Sequence, residues 1–340
     1  MLDFALPTKI YALVDQEYNI YFDNITSDKA EKYDFTVTSY VGELREKRLK
    51  IIPEEAGEYE IVIAAYQQGV EIGKVATRLI VADSEAGRGE NRKILFIGDS
   101  TIASGMCVAK LNENFDGDVM DITLLGTKGD GRNCHEGVSG WRISDYTTAE
   151  GRDGIANVFW NPEIKQFDFS YYMKQQGYEC VDYVFIVLGI NDLFGISGED
   201  LTEPFKEMIL HLQAMISSIH RFNAHIKVGL ALTIPPGNDQ DSFGKAYGVM
   251  HTLWEYKKKV FLWNKTLSNV FTGQEEGNIY LVPIHTNLDT YYNMGLEVEQ
   301  VNKRSDQTRV SITANGSVHP SEAGYWQLAD VYYYFIKACE

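Results

Sequence analysis

The sequence has little positive charge, few cysteines and no long apolar segment. Its 340 residues contain 31 lysines and arginines against 48 acidic residues, which gives a formal net charge of −17. Such a charge repels phosphate backbones and anionic lipid surfaces, so we expect neither a nucleic-acid partner nor a membrane partner. No apolar run reaches the roughly 18 residues that would predict a membrane-spanning helix.

The N-terminus also lacks the features of an export signal. The first ten residues, MLDFALPTKI, do not show the basic, apolar and small-residue order of a signal peptide. The sequence as it stands therefore predicts a cytoplasmic protein, and secretion or residence in the periplasm stays open for a longer precursor.

The four cysteines are widely spaced, at Cys107, Cys134, Cys180 and Cys339. They form no C-x-x-C pair, and no histidine lies at zinc-finger spacing, which argues against a structural zinc site. We interpret them as small buried side chains without a functional role.

The length of the chain and the change in sequence pattern along it predict two domains. Residues 9–82 form short runs separated by turns, with Phe35 and Val37 alternating with more polar neighbours. This pattern predicts an antiparallel, immunoglobulin-like β-sandwich of about six or seven strands. The polar segment 83–93, DSEAGRGENRK, has the composition of a linker. We therefore expect an accessory sandwich domain over 1–88 and a second domain over 89–340.

The second domain shows short apolar runs that alternate with helical periodicity. The runs suit parallel strands buried on both faces, and they lie at 93–98, 121–126, 183–189, 227–234 and 278–284. Helices are predicted at 102–115, at 204–219 and after Pro320. The alternation predicts an α/β domain with a parallel sheet of five strands.

Ligands of such sheets bind beyond the carboxyl ends of the strands. The first strand leads into Gly98-Asp99-Ser100-Thr101, which places Ser100 at a turn between a strand and a helix. The segment is not the G-x-S-x-G elbow of α/β-hydrolases. Taken alone, Ser100 fits a helix N-cap as well as a nucleophile.

Two further strand ends carry candidate residues. The second strand leads into a glycine-rich loop that contains Gly137, Gly140 and Trp141, where a main-chain N–H can approach a ligand closely. The third strand ends at Asn191-Asp192. The Asn191 amide could donate to an oxyanion, or the pair could cap a helix.

The candidate base is His319, in the segment NGSVHPSEAGY before the last helix. It is the one histidine next to a helix start in a loop with proline and glycine. His135, in the glycine-rich loop, is the only rival.

Together these segments resemble the GDSL/SGNH hydrolase family over residues 92–340. The family's four named residues would be Ser100, Gly140, Asn191 and His319, in chain order. The resemblance implies a flavodoxin-like three-layer fold and a Ser100 nucleophile with His319 as base. It also implies an oxyanion hole made of the Ser100 and Gly140 N–H groups and the Asn191 amide, with no metal and no organic cofactor.

The chain departs from the family pattern at two positions. Thr101 replaces the leucine of GDSL, and Gly316 stands where the family has an aspartate three residues before the histidine. In serine hydrolases that aspartate orients the imidazole. We expect its role to fall to the Asn315 side chain, to a main-chain carbonyl or to a carboxylate from another loop.

The segments HEGVSGW and NPEIKQFDFSYY resemble insertions in bacterial two-domain members that are carbohydrate esterases. The resemblance implies an ester of a small molecule or a polysaccharide as substrate, with acetyl as the preferred acyl group. We expect Asp99 and Trp141 at the substrate-binding surface. For the aromatic residues Trp141, Phe159 and Trp160, we expect either stacking on sugar or a place in a local core. A lipase or thioesterase acting on longer chains and a catalytically weakened glycan-binding protein are the alternatives. A homo-oligomer stays open.

Overall fold

The computed structural model describes residues 1–198, 200–249 and 251–340. The strands, in chain order, are β1 (Lys9–Leu13), β2 (Tyr18–Tyr21), β3 (Asp34–Thr38), β4 (Glu43–Leu44), β5 (Arg48–Ile51), β6 (Gly57–Gln67), β7 (Val70–Ala82), β8 (Asn91–Gly98), β9 (Asp121–Leu125), β10 (Glu136–Gly137), β11 (Trp160–Asn161), β12 (Gln166–Phe167), β13 (Tyr183–Val187), β14 (Lys227–Ala231), β15 (Ile279–Val282), β16 (Leu296–Gln300) and β17 (Thr308–Ile312).

Ten α-helices lie within the described residues, and nine of them follow β8. They are α1 (Phe22–Ile25), α2 (Ser100–Ala103), α3 (Met106–Phe115), α4 (Phe169–Gln176), α5 (Ile190–Gly195), α6 (Thr202–Phe222), α7 (Gln240–Tyr247), α8 (Leu253–Phe271), α9 (Ile284–Asn287) and α10 (Glu322–Ala338). No helix within the described residues is long and apolar enough to cross a membrane.

The chain divides into two compact units. The first unit contains Met1–Asp83, Ile234–Lys265 and Pro283–Glu340, and the second contains Ser84–Thr233 and Thr266–Val282. The first break lies close to the predicted linker. The division differs from the predicted one in that residues after 88 belong to both units.

The second unit is built on a parallel sheet. Strand β8 pairs with β13 on one side and with β9 and β10 on the other, and β14 and β15 follow β13. All five residues of β13 are buried, as its continuous apolar run predicts. The α/β class with a parallel sheet is confirmed. The sheet has six strands instead of five, because the two-residue β10 lies inside the glycine-rich loop and has no apolar run to reveal it.

The helix predicted at 102–115 is two helices in the structure. Helix α2 ends at Ala103, and α3 starts after Gly105, whose φ of +75° lies in the left-handed region. That conformation breaks helical continuity and favours glycine. The predictions at 204–219 and after Pro320 correspond to α6 and α10, and both are confirmed.

The first unit contains seven N-terminal strands, in two sheets of different order. One sheet has the order β1-β7-β6-β3 and the other the order β2-β5-β4. The pair β1 and β7 is parallel, so the prediction of an all-antiparallel sandwich is wrong at this pair. An immunoglobulin-like sandwich is not confirmed.

The N-terminal strands of the first unit pack on the C-terminal segments of the same unit. The rings of Tyr11 on β1 and Phe335 on α10 meet edge to face at 4.9 Å. The Asn19 N–H donates to the Asn287 side chain at 2.8 Å, and the Asn24 amide donates to the His285 carbonyl at 2.8 Å. Residues 1–82 therefore share their core with residues from the end of the chain.

None of the four cysteines, all of which lie in the described part of the chain, forms a disulfide. Cys107 is buried, as expected, but Cys180 is exposed, and Cys134 and Cys339 are partly exposed. The prediction of four buried cysteines is wrong for these three.

Candidate active site

Ser100 is the first residue of α2 and follows β8 by one residue. The N-cap of α2 is Asp99, whose Oδ1 accepts from the Thr101 N–H at 2.9 Å and from the Thr101 hydroxyl at 2.8 Å. Asp99 therefore supplies the N-cap of α2. For Ser100, the N-cap was the alternative to a role as nucleophile. Ser100 itself is partly exposed.

Asp99 is buried and does not lie at the surface. Only 1% of the residue is exposed, and burial raises the pKa of its carboxyl to about 6 although the bonds from Thr101 favour the charged form. A carboxylate enclosed in this way holds the turn in shape. Contact between Asp99 and substrate stays a prediction, and the burial of the side chain favours a structural role.

Two glycines allow the strand-to-helix turn to form. A Cβ at Gly98 would lie 2.6 Å from Ile102 Cγ1, and a Cβ at Gly137 would lie 2.6 Å from the Ala103 main-chain nitrogen. Helix α2 therefore packs directly on the backbones of β8 and β10. The Gly98 carbonyl also accepts from the Val138 N–H at 2.8 Å, which joins the turn to the glycine-rich loop.

The structure brings Asn191 to the loop that carries Gly140. The Asn191 amide donates to the Trp141 carbonyl at 3.0 Å, and Gly140 has a φ of +80°, a conformation that glycine adopts without strain. One N–H of the amide is used in this bond. An amide has two, so the second can donate elsewhere.

Asp192 holds the other end of the same loop. The Ile143 N–H donates to Asp192 Oδ1 at 3.1 Å. Burial raises the pKa of the Asp192 carboxyl to about 7, and the nearby Asp99 adds to that rise, while the Ile143 N–H and Arg142 oppose it. The sequence predicts Asp192 only as a helix cap. Its place next to Asn191, the candidate oxyanion donor, is the signal that could have indicated its second role, which is to hold the loop at Ile143.

The aromatic residues proposed for sugar stacking are mostly core residues. Trp141 is 1% exposed, with its ring centroid 4.7 Å from that of Tyr146. A Cβ at Gly151 would lie 2.3 Å from the Trp141 ring. Phe159 is fully buried as well. This burial favours the local-core alternative for Trp141 and Phe159, whereas Trp160 is partly exposed.

His135, the rival base, is enclosed. Its Nδ1 accepts from the Gly137 N–H at 3.0 Å, so this nitrogen is already used within the loop. Burial lowers the pKa of the imidazole. These contacts support a structural role for His135 at the base of β10.

His319 belongs to the first unit and lies just before α10. Its Nδ1 lies 3.2 Å from the main-chain carbonyl oxygen of Asn315, which also accepts from the His319 N–H at 3.2 Å. Since a carbonyl can only accept, Nδ1 carries the proton and Nε2 is the basic nitrogen. Burial lowers the pKa of His319, and the Asn315 carbonyl opposes that shift.

Position 316 has no room for the aspartate of the family pattern. A Cβ there would lie 2.6 Å from the Gly295 carbonyl oxygen and 2.9 Å from Ile312 Cγ2. Among the three replacements that the sequence left open, the structure shows the main-chain carbonyl within hydrogen-bond distance of Nδ1. Asn315 supplies it through its backbone.

Comparison with known proteins identifies a matching family. The family model of the GDSL-like lipase/acylhydrolases matches residues 94–331. No curated protein matches the chain.

Several solved structures align with most of this chain. A carbohydrate esterase family 3 protein from Talaromyces cellulolyticus is 16% identical, with 72% of this chain and 96% of that chain covered and a TM-score of 0.41. An acetyl xylan esterase is 14% identical, with 71% and 98% covered and a TM-score of 0.39. A lipase/acylhydrolase from Enterococcus faecalis is 17% identical, with 72% and 95% covered and a TM-score of 0.38. Because the family model spans more than two thirds of its residues, this chain belongs to the GDSL-like lipase/acylhydrolase family.

Proposed function

We propose that the chain is a serine ester hydrolase in which Ser100 is the nucleophile and His319 is the general base. The observation that carries the proposal is the bond between His319 Nδ1 and the Asn315 carbonyl. It fixes the tautomer in which Nε2 accepts a proton, as a base for a serine hydroxyl requires. The family membership supports it, and so does the position of Ser100 as the first residue of α2, where Asp99 and not Ser100 is the N-cap.

The reaction proceeds in two halves. The Ser100 hydroxyl attacks the ester carbonyl while its proton passes to His319 Nε2, and the tetrahedral intermediate then expels the alcohol, which takes that proton. Water, deprotonated by the same nitrogen, attacks the acyl-enzyme to form a second tetrahedral intermediate. The bond to Ser100 Oγ then breaks, the acid is released, and Oγ takes the proton back from His319 Nε2.

The negative oxygen of each intermediate requires donors fixed in advance. The proposed donors are the main-chain N–H groups of Ser100 and Gly140 and the second N–H of the Asn191 amide. The bonds from Asn191 to Trp141 and from Ile143 to Asp192 hold the Gly140 loop in one conformation. These donors then need little reorganisation during the reaction.

A main-chain carbonyl differs from a carboxylate in one respect. It orients the imidazole, but it carries no full charge to stabilise the imidazolium that forms during attack. We therefore expect a working Ser-His dyad with a lower rate than a full triad would give.

We further propose that the substrate is an acetyl ester of a carbohydrate. A pocket of about 690 Å³ in the second unit includes Asp192, the chain neighbour of Asn191. Its walls combine polar and charged groups with apolar ones, and they include Arg142, Glu203, Lys206, His211, Ile196, Met208 and Leu210. Such walls suit a polyhydroxyl alcohol that is rich in hydrogen-bonding groups.

A series of p-nitrophenyl esters from acetyl to octanoyl tests the acyl preference. We expect kcat/KM to be highest for acetyl and to fall with each longer chain, and we expect acetate to be released from acetylated oligosaccharides. The reverse order along the series would point to a lipase or thioesterase. Binding of the oligosaccharide without release of acetate would point to the glycan-binding alternative.

A further inference from the structure

The bond that orients His319 depends on one peptide group, the one that joins Asn315 to Gly316. Its carbonyl oxygen lies 3.2 Å from His319 Nδ1. Its N–H, which belongs to Gly316, donates to the Thr313 hydroxyl at 2.9 Å. Because a peptide unit is planar and trans, its N–H and C=O point in opposite directions, and a partner that fixes one of them fixes the other.

Thr313 is itself held in place from a third segment. Its own N–H donates to the Gly295 carbonyl at 2.8 Å, at the base of the hairpin formed by β16 and β17. The same hairpin base reaches the histidine loop again through a bridge between Met294 and Pro320. The hydroxyl of Thr313 is therefore placed by the backbone of the hairpin.

The packing around the peptide group explains why residue 316 is glycine. Besides the Gly295 carbonyl, a Cβ at Gly316 would meet the Gly295 nitrogen at 2.8 Å. On another side, a Cβ at Gly237 would lie 2.9 Å from the Gly316 carbonyl oxygen. The backbones of Gly295 and Gly237 thus both approach Gly316 without intervening side chains, which leaves the Gly316 backbone little room to move.

We infer that Thr313 is a positioning residue for His319, because its hydroxyl fixes the peptide group whose carbonyl orients the imidazole. This inference rests on the proposed function. The hairpin with its Thr313 and Gly295 takes over the task of the aspartate that the family carries at position 316. The hydrogen bond on the N–H side also polarises the carbonyl and makes it a better acceptor for Nδ1.

The test compares Thr313→Val, which keeps the shape but removes the hydroxyl, with Thr313→Ser, which keeps the hydroxyl. For Thr313→Val we expect kcat for p-nitrophenyl acetate to fall roughly 10- to 100-fold with KM changed by less than about threefold, because a misplaced base slows the chemical step. The serine variant should stay within about threefold of wild type. Thr308→Val, a matched change at an exposed position of β17, should leave kcat unchanged.

A second measurement does not depend on turnover. In the Ser100→Ala protein with ¹⁵N-labelled histidine, NMR should show His319 protonated at Nδ1, and Thr313→Val should shift the tautomer toward protonation at Nε2. Thr313→Val with wild-type kcat and an unchanged tautomer would overturn the inference. If Thr313→Val does not fold, equal kcat values for Thr313→Ser and Thr313→Ala would overturn it as well.

The inference and the proposed function fail in different ways. If wild type and Ser100→Ala hydrolyse the ester equally, the proposed function is wrong, whatever Thr313 does. If hydrolysis requires Ser100 but neither kcat nor the tautomer responds to Thr313→Val, only the inference is wrong.

Discussion

The residues of the proposed active site depend more on main-chain groups than their side chains suggest. A backbone carbonyl orients His319, backbone N–H groups of Ser100 and Gly140 form part of the proposed oxyanion hole, and Asp192 acts on the loop through the Ile143 N–H. In this arrangement the side chain of Asn315, which is exposed, has no assigned task. Sequence reasoning could name Asn315 but could not tell which of its oxygens faces the imidazole.

The first prediction concerns that distinction. Asn315→Ala keeps the main-chain carbonyl, so we expect kcat/KM for p-nitrophenyl acetate within about threefold of wild type. His319→Ala should lose about 10³-fold or more, because it removes the base. A loss in Asn315→Ala as large as that in His319→Ala would contradict the main-chain assignment.

At the scale of secondary-structure elements, glycines determine how closely the elements pack at the site. The second prediction is that Gly137→Ala costs about 2 kcal/mol of unfolding free energy, because its Cβ would lie 2.6 Å from the Ala103 nitrogen of α2. It should also lower kcat by displacing the turn of Ser100. Chemical denaturation and kinetics measure both effects.

Gly277→Ala provides the control, since no atom lies within 4 Å of a Cβ at that position. It should change the unfolding free energy by less than about 0.5 kcal/mol. Equal unfolding free energies for Gly137→Ala and Gly277→Ala would contradict the close packing of α2 on β10.

The elements also show which features the sequence could predict. Strands β8, β9, β13, β14 and β15 follow from continuous apolar runs, and α6 follows from its three- and four-residue periodicity, because burial on a sheet imposes both patterns. Strand β10 and the hairpin of β16 and β17 have no comparable signal. Their positions depend on close backbone approach at Gly137 and Gly295, which one sequence does not reveal.

For the site, the four family residues could be named from the sequence because each follows a strand or precedes a helix in a loop of distinctive composition. The burial of Asp99 and Trp141 could not be predicted from the sequence, because both residues lie in segments that look like surface loops. The hydrogen bonds of Asp192 and Thr313 could not be predicted either. They are made to the main chain of Ile143 and Gly316, three or more residues away.

At the scale of the whole molecule, residues 1–83 belong to the same compact unit as the end of the chain. The third prediction is that deletion of residues 1–88 leaves α10 with its apolar face exposed, because β1 and the Phe335 contact are lost. We expect the shortened protein to be insoluble or to lack a cooperative unfolding transition. A soluble fragment 89–340 that hydrolyses esters would contradict this expectation and would support the predicted accessory domain over 1–88.

The fourth prediction concerns acid stability. His285 is fully buried, and burial lowers the pKa of its imidazole to about 4. The folded state therefore favours the neutral form, and its contribution is present above the unfolded pKa of about 6.5 and is lost as the pH falls toward 4. Between pH 7 and pH 5 the loss should be about 2 kcal/mol.

Urea unfolding of wild type and His285→Gln at several pH values checks this contribution. The difference in unfolding free energy between the two proteins should shrink by about that amount as the pH falls. A constant difference between wild type and His285→Gln would contradict the prediction.

The most direct test of the account is hydrolysis of p-nitrophenyl acetate by wild type, Ser100→Ala and Ser104→Ala. Ser104 lies at the C-terminal end of the same short helix and is exposed, so its variant controls for the loss of a nearby hydroxyl. We predict that Ser100→Ala loses at least about 10³-fold in kcat while Ser104→Ala stays within about threefold of wild type. Equal turnover by wild type and Ser100→Ala would contradict the central claim that Ser100 is the nucleophile of an ester hydrolase.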